Sequence, residues 1–168
     1  MKVAVTDANI FIDLINLNII SHFFELGIEL HTSAEVIDEL HDHQAAVLMA
    51  FNAVQKLKIH TLSADDLEKM YEFANTKKMS DADKTVIYIA HKEKAMVLSS
   101  DGPARNFAKQ KNIEVHGLVW LFDELVHKER ISKKVACTKI NELLATNRRY
   151  KEDIRMNEEF NKRLHNWK

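Results

Sequence analysis

Val5-Thr6-Asp7-Ala8-Asn9-Ile10-Phe11-Ile12-Asp13-Leu14 is the stretch that decides the fold. With Lys2-Val3-Ala4 before it, a short apolar run reads as a strand over 2–6 and stops at an acid. Beyond Asn9 the apolar residues switch to helical spacing. An aspartate that closes a central apolar strand is partly desolvated and needs a partner. One such partner is the start of the next helix, which Asp7 can cap.

The same alternation continues outward. Further strands are expected at 28–32, 58–61, 95–99 and 113–116. Helices are expected over 10–26 with a break, 33–55, 63–76, 81–94, 103–111 and 118–127, then over 132–146 and 150–166. Ser33, Ser63 and Ser80 stand where N-caps belong, and Gly102-Pro103 marks another start. Strands alternating with helices of this length predict an α/β fold: a central parallel sheet of about five strands with helices on both faces. The strands end before 128, and a helical extension follows.

Charge divides at the same place. Residues 1–127 hold 12 Lys and Arg against 19 Asp and Glu, and residues 128–168 hold 12 against 6. An acidic domain over 1–127 with a basic helical extension over 128–168 brings nucleic-acid contact into consideration; the alternative is a solvated helical hairpin. Phosphate-binding glycine motifs are absent, and the lone Cys137 excludes a disulfide framework or thiolate zinc site and suits a reducing cytoplasm. No signal peptide is read at the N-terminus, and no segment approaches the ~20 apolar residues that span a bilayer. His41 and His43 lie two apart on an expected helix, so a shared ligand pair is not expected and solvated surface histidines are.

The acids carry more. Asp7 and Asp101 each follow an apolar strand, and in an open parallel sheet ligands bind beyond the strand C-termini at the switch point. Asp83 falls in the first turn of an apolar helix whose N-terminus points at that edge. Glu39 lies on a helix that buries Val36, Ile37 and Leu40. Each acid also has a local explanation: Asp101 as a cap, Asp81 and Asp83 as first-turn acids favoured by the helix dipole, Glu39 as one more solvated acid. Four ionised carboxylates at one edge repel and need a cation, for which oxygen-seeking Mg²⁺ or Mn²⁺ is suited.

Four segments together resemble the PIN-domain nucleases: 5–14, Ser33-Ala34-Glu35-Val36-Ile37-Asp38-Glu39-Leu40, 79–90 with Asp83, and Val97-Leu98-Ser99-Ser100-Asp101-Gly102-Pro103. The likeness covers roughly residues 2–127, with Lys84 in place of a small residue and Asp81 as an added acid. It implies a three-layer PIN-like fold and a metal-dependent endoribonuclease acting on single-stranded RNA, as in toxin–antitoxin pairs or RNA processing. By the same resemblance, Asp7, Glu39, Asp83 and Asp101 hold Mg²⁺ or Mn²⁺, with Asn9, Ser99 and Asp81 behind them. Family habit adds an antitoxin partner and a homodimer, and basic residues such as Arg148, Arg149, Arg155 and Arg163 as a track for the RNA backbone.

Other readings of a strand-end aspartate fit less well. A haloacid-dehalogenase phosphatase needs a second aspartate where Asn9 stands, and a receiver domain needs a lysine that Val115-His116-Gly117 does not supply. The rival of a different class is a PIN fold kept as a binding module that recruits RNA or protein without cutting.

Overall fold

In the computed structural model, which describes residues 1–168, every one of the five expected strands forms, and all of them pair in parallel. They are β1 (Val3–Thr6), β2 (Glu29–Ser33), β3 (Leu57–His60), β4 (Met96–Leu98) and β5 (Val115–His116), in the order β3-β2-β1-β4-β5. Chain order reverses at β1, which places the switch point between β1 and β4. There the Asp7 N–H donates to the Leu98 carbonyl at 3.1 Å, tying the two strand ends together. This is the expected three-layer α/β class, with helices around a parallel sheet.

The chain forms two compact units: residues 1–12 with 27–117, and residues 13–26 with 118–168. The first contains the sheet, the beginning of α1 (Ala8–Asn16), and α3 (Ala34–Asp38), α4 (Asp42–Ala53), α5 (Ala64–Phe73), α6 (Asp81–Glu93) and α7 (Gly102–Gln110). Its centre is α6, on which every residue from Lys84 to Ala90 is buried. Serine caps at Ser33, Ser63 and Ser80 accept from the backbone N–H three residues on, as the sequence predicts. The helix expected over 33–55 is divided: α3 ends at Asp38, and His41 in extended conformation begins α4. Buried Leu40 sits in that break, with the Gln44 side chain accepting from the His41 N–H at 3.0 Å.

The second unit holds the rest of α1, α2 (Ile20–Phe23), α8 (Leu118–His127), α9 (Lys133–Thr146), α10 (Arg148–Glu152) and α11 (Ile154–Trp167). The helix expected over 150–166 is likewise two, parted at Asp153, which caps α11 through Met156 N–H. Phe160 meets both Phe122 and Tyr150 edge-on, at 6.0 and 5.8 Å between centroids. The Tyr150 hydroxyl donates to Asp13 at 2.7 Å and the Asn147 amide donates to its other oxygen at 3.0 Å. The sequence boundary at 127/128 therefore differs from the compact units. Helix α8 and residues 13–26 group with the basic helices because those helices need their apolar faces to build a core. No helix is long and apolar enough to cross a membrane.

Candidate active site

Asp7 follows β1 directly. It is 2% exposed, and its Oδ1 accepts from the Ile10 N–H at 3.0 Å, so the capping role is real. That role uses one oxygen. Oδ2 is buried with no hydrogen-bond partner, an arrangement that costs free energy if the carboxylate is ionised. Burial pushes the Asp7 carboxyl up to about 7, against the Ser99 hydroxyl and Ile10 N–H, which favour the anion; the charges of Asp83 and Asp101 push it further.

Asp101 likewise serves as the N-cap of α7, its Oδ2 accepting from the Ala104 N–H at 3.0 Å. The Asp101 N–H donates to the Ser99 hydroxyl at 3.1 Å, and Ser99 is itself buried, so one serine side chain sits beside both acids. Asp83, partly exposed, stands in the first turn of α6, where its N–H donates to Ser80 Oγ at 3.2 Å. Glu39 is at the C-terminal end of α3, and desolvation and the charge of Asp83 raise its carboxyl. The Ser33 and Thr85 hydroxyls join at 2.7 Å, and Thr85 also donates to the Ala82 carbonyl, fixing α6 against the β2–α3 junction.

The tertiary structure thus brings Asp83 and Asp101 each into electrostatic reach of Asp7, and Glu39 into reach of Asp83. No three His, Cys, Asp or Glu side chains stand close enough together to grip a cation in the present arrangement. The chemistry of the set still fits one. All four donors are carboxylates, and the buried, unpartnered Oδ2 of Asp7 is an oxygen that a hard cation would satisfy.

Asn9, in the first turn of α1, is half-buried, and Asp81 is exposed on the first turn of α6. Sequence reasoning gave no role to three residues near the acids. Arg105, one turn after Asp101, donates to the Ser99 carbonyl at 3.0 Å. Its guanidinium lies where a Cβ on Gly117 would come within 2.8 Å of Nη1, so glycine gives it room. Lys84, only 9% exposed, lays its ammonium over the Tyr71 ring, 5.5 Å from the centroid, which explains a lysine where a small residue was expected. Tyr71 itself had no signal in the sequence.

His41 and His43 are both exposed, as the sequence reading has it, though His41 stands at the N-cap of α4 and its ring stacks on His43 at 6.3 Å. His31 is buried on β2, bonded to Glu29 at 2.8 Å and His60 at 2.9 Å. Arg163 is engaged as well: it reaches Asp123 through both Nε and Nη2 and also bonds Glu159, so it braces α11 instead of offering a free cation.

A parallel α/β sheet with acids at its switch-point edge defines an α/β protein with a candidate carboxylate site. A family model described as PIN domain matches residues 3–160, and the chain belongs to that family. PIN domains are generally nucleases and typically use divalent metals. The match runs well into the basic helices, beyond the 2–127 that the motifs cover. Comparison with curated proteins brought no match.

Proposed function

We propose that the protein is a divalent-metal-dependent endoribonuclease that hydrolyses phosphodiester bonds of single-stranded RNA. The observation that carries this is the Asp7 carboxylate, buried at a sheet switch point with one oxygen unpartnered and two more acids in electrostatic reach. A scaffold gains nothing from such a buried charge, and a cation site does. Asp7, Glu39, Asp83 and Asp101 would hold Mg²⁺ or Mn²⁺, which when bound supplies an activated water and charge neutralisation at the scissile phosphate. Ser99 holds Asp101 by accepting its N–H and eases the charge on Asp7. Ser33 and Thr85 hold the helices that bear Glu39 and Asp83. Asn9 and Asp81 are assigned to orienting a carboxylate or water. A toxin role with an antitoxin partner, a homodimer and a cytoplasmic location belong to the same proposal.

The competing reading, a PIN fold retained for binding alone, draws on the lack of a compact three-acid cluster. A mixed single-stranded RNA pool incubated with Mn²⁺, Mg²⁺ or chelator separates the two. Cutting that requires metal and disappears in folded Asp7→Asn and Asp101→Asn supports the nuclease. RNA binding without cutting, and without a metal-induced rise in melting temperature, establishes the binding module instead.

A further inference from the structure

Tyr71, on α5, lies beside the first turns of α3 and α6. Tyr71 is 46% exposed, yet its ring is held on one side by the cation of a buried residue: Lys84 Nζ lies 5.5 Å from the ring centroid and Lys84 is 9% exposed. The carboxylates of Asp81 and Glu35 also lie near enough to raise the phenol, Asp81 most. Every one of these neighbours adjoins a proposed ligand. Asp81 is two residues before Asp83 and Lys84 one after it, while Glu35 is one helical turn before Glu39. Exposed tyrosines ordinarily swing between rotamers, which costs entropy when they are fixed on binding. Here a cation against one face stabilises one position of the ring, while nearly half of the residue stays open to solvent.

We infer that Tyr71, backed by Lys84, is a stacking platform for one unpaired nucleobase of the RNA, next to the phosphate held at the carboxylates. Three properties fit that occupant. A flat, half-exposed ring with a cation against one face offers room for a single π-surface. Stacking does not discriminate strongly among bases, so the platform positions the strand for cutting instead of selecting a sequence. A base in a duplex has both faces occupied by its neighbours, so the platform prefers single strands. Lys84 adds a positive charge beneath the ring, which strengthens its hold on a polyanion otherwise repelled by the surrounding acids. The platform rests on the nuclease proposal for its substrate class, but its effect is read by binding and not by cutting.

The test is equilibrium binding of a fluorescent single-stranded oligoribonucleotide to the Asp101→Asn protein, which retains a capping side chain and cannot complete the proposed site. Tyr71, Tyr71→Phe and Tyr71→Ala versions are compared on an intact oligomer and on one carrying abasic positions. Tyr71→Ala is expected to weaken binding of the intact oligomer by about 5- to 100-fold, with Tyr71→Phe close to the parent. On the abasic oligomer, the alanine and tyrosine proteins are expected to bind alike, which a merely structural tyrosine would not produce. Equal binding of the intact oligomer by all three, or an equal loss on both oligomers, overturns the platform. If the unmodified chain still cuts RNA with Mn²⁺ in that event, the nuclease proposal survives. Absence of both binding and cutting overturns the two together.

Discussion

At the scale of single residues, Asp7 combines two demands that oppose each other. Its cap on Ile10 stabilises the start of α1, while burial of an unpartnered oxygen destabilises the ionised side chain. The sign of the pH dependence follows. The folded carboxyl is raised to about 7 from 3.8, so the folded state holds the proton more tightly than the unfolded one. Without metal, this group costs nothing below about pH 4; the cost grows as pH rises toward about 7 and is complete above it. The difference corresponds to an upper bound on the order of 4 kcal/mol. Asp7→Asn keeps the cap and removes the charge. In chelator at pH 8 it is expected to unfold at a higher temperature than the parent, with the gap closing toward pH 4, while losing all metal-dependent cutting. Thermal melts across that pH range check it; an asparagine variant less stable than the parent at pH 8 would show that Asp7 is not strained.

Elements set where these residues stand. Helix α6 is buried along nearly its whole length, and its register is fixed at the first turn by Ser80 and Thr85. Ser33 accepts from Val36 N–H and bonds Thr85, so one hydroxyl ties β2, α3 and α6. Ser33→Ala is expected to cost about 0.5–2 kcal/mol in urea unfolding, because it removes a cap and one of the two bonds of the buried Thr85 hydroxyl, which keeps the Ala82 carbonyl. It should also lower cutting more than stability alone explains, since Glu39 and Asp83 ride on the freed helices. Gly117→Ala is a milder probe. The new methyl would meet the end of the Arg105 side chain, which can move, so the substitution disturbs the bond to the Ser99 carbonyl, worth about 0.5–1.5 kcal/mol. A cutting rate that falls at least tenfold in Gly117→Ala while urea unfolding shifts by no more than this would place Arg105 among the groups that position the site.

For the whole chain, the basic excess over 128–168 is partly spent on internal pairs. Arg163 is clamped by Asp123 and Glu159, and exposed Arg148 is paired with Glu152 on its own helix. Arg155 and Arg149 are exposed, the latter also placing its charge near Asp13. If single-stranded RNA follows them, each replaced by Ala should reduce the slope of log affinity against log salt by about 0.7, with little change in stability. Arg163→Ala should act the other way, lowering the melting temperature while leaving the salt slope of the folded protein near that of the parent. Titrations of RNA binding from low to moderate salt, beside melts, separate these outcomes.

The sequence by itself determined the strand set, most helix starts and the parallel α/β class. Each follows from local rules: short apolar runs, two of them closed by Asp7 and Asp101, and Ser caps whose hydroxyls bond three residues ahead. It also singled out Asp7 and Asp101, because an acid at the end of a buried strand is visible without coordinates. The splits at 39–41 and 153 were not visible, since apolar spacing continues through both and only the tertiary burial of Leu40 and the cap at Asp153 decides them. Tertiary structure alone decided the strand order that brings residues 7, 83 and 101 into one field. It alone put Lys84 beneath Tyr71 and Arg105 against Gly117, contacts between residues that are 12 or more positions apart in the chain. Local propensity acts within a turn or two of helix, whereas these placements come from burying whole faces of a sheet, and no single segment carries that information.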